Sequence, residues 1–179
     1  MGREIRRVPA NWQHPRNDNG RYIPLFDGCD IAVLQKEWDV AAEKWAQGLR
    51  LNAGQWIPIE SYIRPMDFED WDGSRPDESD YMPNWSPEEA THYMMYEDTT
   101  EGTPISPAFA TPEEVARYCA DNYISAFGGQ TASYEAWLKV ANGHSAISAV
   151  GIPGEGFING VDALTLVGLC GQVKASNCC

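Results

Sequence analysis

Residues 86–122 read SPEEATHYMMYEDTTEGTPISPAFATPEEVARYCADN, and one four-residue device occurs in them twice: Ser86-Pro87-Glu88-Glu89 and Thr111-Pro112-Glu113-Glu114. In each, the hydroxyl residue can cap a helix and the second glutamate can close a capping box. The proline stands at the first helical position, where a missing N–H costs nothing. Acidic residues in a first turn also complement the helix dipole. The spacing predicts two helices, about 87–96 and 112–121, the second turning Val115 and Tyr118 or Cys119 inward. Between them Thr103-Pro104-Ile105-Ser106-Pro107 is held extended by its prolines and leads into Phe109. Within the first predicted helix, His92 would stand one turn after Glu88, and an ordinary helix-surface pair explains that spacing better than acid–base work.

Upstream, Ile31, Leu34, Trp38, Ala41, Trp45 and Leu49 recur every three or four residues and predict a helix over about 30–47. Asp27 or Asp30 would cap it, and Gly48 suits its left-handed end. The two tryptophans read as packing surface. Glu4–Val8 predicts a short strand stopped by Pro9, and Arg21–Ile23 a second one after the turn Asn17-Asp18-Asn19-Gly20. Gln55–Ile59 is extended around Pro58. Downstream, Tyr134–Val140 predicts a last helix, capped by Thr131 or Ser133 and ended by Asn142-Gly143.

These elements predict an α+β fold: three or four short helices on a few short N-terminal strands, joined by proline-rich connections, in one domain over residues 1–143. Residues 144–179 are glycine-rich and nearly uncharged, and read as an irregular tail with a strand near Leu164–Leu169.

Charge is distributed unevenly. The net charge is −13, from 26 Asp and Glu against 13 Lys and Arg. Residues 51–122 hold sixteen acidic side chains against Arg64, Arg75 and Arg117, so the middle carries the whole excess. Phosphate-backbone binding needs clustered Lys and Arg, which argues against direct nucleic-acid contact. From Met66 onward, Asp67, Glu69, Asp70, Asp72, Asp77, Glu78 and Asp80 interleave with Phe68, Trp71, Tyr81 and Met82, with Trp85 close behind. Pro65, Pro76 and Pro83 exclude a long helix there, so the stretch reads as an irregular wrap with outward carboxylates.

No motif for a nucleophile elbow, a zinc protease, a Walker A loop or a calcium loop is present. Gly151-Ile152-Pro153-Gly154-Glu155-Gly156 puts a glutamate where phosphates would sit. The five cysteines, Cys29, Cys119, Cys170, Cys178 and Cys179, are irregularly spaced and form no zinc pattern with His14, His92 or His144. The expectation is no enzyme, no cofactor and no metal. No apolar run nears the roughly 20 residues that cross a bilayer, and no secretory leader is read at the start. A soluble, intracellular protein is expected.

Three blocks carry a resemblance: GREIRRVPANWQHP, MDFEDWDGSRPDESDYMPNW and YEDTTEGTPISPAFATPEEVARYCADN, followed by Ser133-Tyr134-Glu135-Ala136-Trp137-Leu138. Over about residues 1–140 the chain resembles a recurrent group of small bacteriophage and prophage proteins. The resemblance implies a phage origin and a place in the host cytoplasm, and brings no activity with it. With the acidic, aromatic middle, the expectation is an accessory protein that binds a host protein, one that handles nucleic acid or serves defence. Asp67, Glu69, Asp70, Trp71, Asp72, Asp77, Glu78, Asp80, Tyr81 and Trp85 would form its surface. The alternative is a virion or assembly component that self-associates through its tail.

Overall fold

A computed structural model describes residues 2–27, 30–97, 102–143, 145–152 and 156–166. Cys29, Cys170, Cys178, Cys179, His144, Pro153–Glu155 and the far end of the expected 164–169 strand lie outside that set. The fold is α+β, as the sequence leads one to expect. The described chain divides into two units: residues 2–27 with 85–166, and residues 30–84.

The first unit is built on a strand the sequence did not announce. Residues 87–96 are not a helix. The Ser86 device closes a single turn, with the Glu89 and Ala90 amides donating to the Ser86 carbonyl at 3.0 Å each. His92–Glu97 then runs as a strand, β4, antiparallel to β1 (Arg3–Val8), with Ile5 opposite Met95 and Arg6 opposite Met94. The reason lies in its side chains: His-Tyr-Met-Met-Tyr offers both faces of a pleat something to bury, and Met94, Met95 and Tyr96 are all buried. Thr103–Pro104 adds a short third strand, β5, on the other side of β4. The expected 21–23 strand is reduced to one bridge between Arg16 and Tyr22.

On one face of this sheet, Met95 and Ile5 meet Val115, Cys119, Trp137 and Val140. Those come from α3 (Pro112–Asp121) and α4 (Tyr134–Ala141), both where the sequence put them. Thr111 makes both bonds of its capping box with Glu114, and Ser133 is the residue that caps α4. The α3 end closes as a Schellman turn: Ile124 N–H donates to Cys119 O and Tyr123 N–H to Ala120 O. Tyr123 therefore holds a left-handed backbone, φ 52°, where glycine is usual.

The glycine-rich end belongs to this same core. Ala149–Ile152 and Gly156–Asn159 pair as a hairpin, β6–β7, and Gly160–Leu166 is a helix, α5, not the start of a strand. Val161 is fully buried in the α3–α4 cluster, and Ala146 exchanges backbone hydrogen bonds with Arg3 at 2.8 and 2.9 Å. Gly160 can only be glycine, because a Cβ there would run into the Ile147 carbonyl.

The opposite face of the sheet carries Arg6, Met94 and Tyr96, and loop 9–27 covers it. Arg6 donates to the Leu25 carbonyl at 2.8 Å and lies 4.4 Å from the Tyr96 ring centre.

The second unit contains α1 (Ile31–Ala46), a hairpin of β2 (Leu49–Asn52) and β3 (Gln55–Pro58), and the one-turn helix α2 (Phe68–Asp72). Asp30 caps α1 and Gly48 follows its end with φ 79°. Although α1 has its predicted apolar stripe, none of its residues is buried.

Candidate functional site

Residues 67–80 gather most of the carboxylates expected to form a binding surface. Asp67 precedes α2, Glu69 and Asp70 occupy its first turn, and Trp71 and Asp72 end it. A single 3-10 turn, Glu78–Asp80, carries the next group and is capped by Asp77, whose carboxylate accepts from the Ser79 amide at 2.8 Å and hydroxyl at 2.7 Å. Those two bonds hold the Asp77 carboxyl below its usual range, the backbone one most. All seven of these acids are exposed. Among the described residues, Asp67, Glu69, Asp70, Asp72, Glu78 and Asp80 make no ion pair.

Arg75, the only cation within 67–80, is already engaged. Its guanidinium forks onto Asp39 of α1 at 2.8 and 3.0 Å. Arg50 is engaged the same way by Glu60, whose carboxyl falls to about 2 chiefly because of that hydrogen-bonded fork. The acids are therefore left uncompensated by their neighbours.

An aromatic cluster backs this surface. Trp38 and Trp45 of α1 tilt onto Phe68 at 5.1 and 5.7 Å, and Trp45 stacks on Trp71 at 5.6 Å. Both α1 indoles donate to backbone carbonyls, Trp38 to Gly73 and Trp45 to Met66. So Trp38 and Trp45 hold the acidic segment on the helix, while Trp71 keeps 42% of its surface exposed. Tyr81 is half-buried in the same unit. Trp85 belongs to the other unit, where it packs edge-on against Trp12 at 4.7 Å.

A second site appears in the first unit, one the sequence reading did not single out. Loop 9–27, β4 and the Pro104–Ala108 segment enclose a cleft of about 530 Å³. At its base His14 is buried with both ring nitrogens in use. Nε2 lies 2.6 Å from the Ile23 carbonyl, which can only accept, so Nε2 carries the proton. Nδ1 then accepts from the Tyr96 hydroxyl at 3.1 Å, and Trp12 Nε1–H donates to that same oxygen at 3.3 Å. Burial pushes the Tyr96 hydroxyl up to about 12 and holds the His14 ring below its usual 6.5, with Arg6 and Arg16 adding to the latter. This is a satisfied network that shapes a wall. The only signal for it in the sequence is the Trp12-x-His14-x-Arg16 alternation, which a single sequence cannot tell from a strand edge.

Other chemistry is sparse among the described residues. No group of three His, Cys, Asp or Glu is placed to hold a metal, and burial lifts the Cys119 thiol to about 12. Among the described residues, no helix is long and apolar enough to cross a membrane. The chain matches no protein-family model, no curated protein and no solved structure at a significant level.

Proposed function

We propose that this chain is a non-enzymatic accessory protein of bacteriophage origin, acting in the host cytoplasm, that binds a basic host protein through residues 67–80. One observation carries the reading: six exposed carboxylates with no ion pair among the described residues lie on the two short turns of residues 67–80, four of them next to the exposed Trp71 along α2, while the cation among them is spent on Asp39. Uncompensated carboxylates attract a basic groove over a distance and speed encounter; an indole supplies the apolar anchor once contact is made. A nucleic-acid-handling protein has such a groove, because it must neutralise phosphates. Occupying it would block or redirect the partner's work.

The test starts with the tagged chain in infected host cells, recovered at low and at moderate salt, with mass spectrometry of what accompanies it. A basic partner that is lost as salt rises is expected, since exposed charge contacts are screened. Binding of that purified partner is then compared with the Asp67→Asn, Glu69→Gln, Asp70→Asn, Asp72→Asn variant. The association rate should fall about tenfold or more, with melting unchanged. Equal binding by the variant would sink the proposal. Recovery of capsid or tail proteins, indifferent to salt, would point instead to a virion component.

A further inference from the structure

The 530 Å³ cleft of the first unit stands out by its charge. The chain carries twice as many acids as bases, yet none of the cleft's described lining residues is a carboxylate. Its one fully charged side chain is Arg16. That guanidinium lies 3.7 Å from the Tyr22 ring centre and spends one N–H on the Gly20 carbonyl. A guanidinium stacked in this way keeps its remaining N–H groups for a pair of anionic oxygens, such as two oxygens of a phosphate.

Three half-buried aromatic side chains, Trp12, Tyr22 and Tyr118, stand among the lining residues, and each has a partner within the protein. Trp12 is fixed by Tyr96 and Trp85, Tyr22 meets the His14 ring edge-on at 5.4 Å, and Tyr118 rests on Phe109 at 5.4 Å. Pro104 and Pro107 stiffen the far rim. Rings already ordered in this way lose little entropy on binding a flat molecule. The volume falls within the roughly 300–1,000 Å³ of small-molecule sites, and exceeds what a lone aromatic ring requires. His14 and Ser106 have their polar atoms occupied within the protein, so neither stands ready as a nucleophile or a base.

We propose that this cleft binds a nucleoside monophosphate, its base among Trp12, Tyr22 and Tyr118 and its phosphate on the Arg16 guanidinium. The site would sense or carry the ligand and would not transform it. On a protein of this net charge, a carboxylate-free cleft with one arginine is where a small anion meets least repulsion.

The experiment is an NMR titration of the full-length protein with AMP, with adenosine and inorganic phosphate as separate arms. Saturable shifts at the Trp12 indole N–H and the Arg16 Nε–H are expected with AMP, with weaker binding of adenosine and of phosphate. Arg16→Gln should weaken AMP about tenfold or more, the loss of a charge-assisted fork, while the melting temperature moves little, because the Tyr22 stack and the Gly20 bond it gives up are both at the surface. Tyr22→Ala provides a second variant, with the same expectation of weaker binding. No saturable shift at millimolar AMP would overturn the assignment. So would shifts confined to other residues, equal affinity for adenosine, or undiminished binding by Arg16→Gln. The acid-to-amide variant at 67–72 should bind AMP normally, so this proposal and the partner-binding one fail separately.

Discussion

Protonating His14 would give its Nδ1 a hydrogen aimed at the Tyr96 hydroxyl oxygen, which already accepts from Trp12. Independently of that, burial, with Arg6 and Arg16 adding to it, holds the ring's folded pKa below its usual 6.5, so the unfolded chain takes up the proton first. Stability should be at its full value above about pH 6.5 and should decline as pH falls from there through the lowered folded value. Denaturant midpoints measured from pH 8 downward, with the His14 ring followed by NMR, check this. A ring titrating at or above 6.5 in the folded protein would contradict it. Two arginines of β1 teach a related point. Arg3 and Arg6 are buried, Arg3 donating to the Ser125 carbonyl at 3.0 and 2.8 Å and Arg6 to Leu25, so charges that count as basic in the sequence are structural in the fold.

The twin devices at 86 and 111 divide at the level of the element. Thr111 makes both bonds of its box and starts a ten-residue helix; at Ser86 only the Glu89 carboxylate reaches back, 3.0 Å to the Ser86 amide. Thr111→Ala should cost about 1 kcal/mol, whereas Ser86→Ala should cost close to nothing, since its hydroxyl has no partner among the described residues. Chemical denaturation of the two variants side by side decides it; equal losses would mean the Ser86 turn is a helix start after all. This pair also marks where the sequence was legible. Caps and 3.6-residue periodicity are local, so α1, α3 and α4 could be read, α3 with its cap Thr111 and the other two with a pair of candidates each, of which Asp30 and Ser133 do the capping. The strand after the Ser86 turn depends instead on a partner at the far N-terminal end: β4 exists because β1 is there to pair with it. The same holds at the C-terminal end, where a glycine-rich composition hid the fact that Val161 completes the core. At the candidate surface, residue types and charge excess were legible, but the capture of Arg75 by Asp39 and the stacking of Trp71 on Trp45 were not.

At the scale of the molecule, ending the chain at residue 143 should unfold the first unit. It would remove Ala146, which pairs with Arg3, and Val161, which is fully buried. Loss of near-UV circular dichroism and of a cooperative melt is expected. A truncated chain that melts like the full one would refute the role given to the glycine-rich end. Of the two units, residues 30–84 are continuous in sequence, whereas the other draws on both ends of the chain. That discontinuity sets an order of events during synthesis. Residues 30–84 can make the contacts internal to their own unit while the ribosome is still extending the chain. Strand β1 emerges before residues 30–84, yet must wait for β4, then for Ala146, and finally for α5 before its unit can close. Residues made before the second unit are thus locked after it, and until β4 arrives the edge of β1 stays unpaired and open to pairing with another chain.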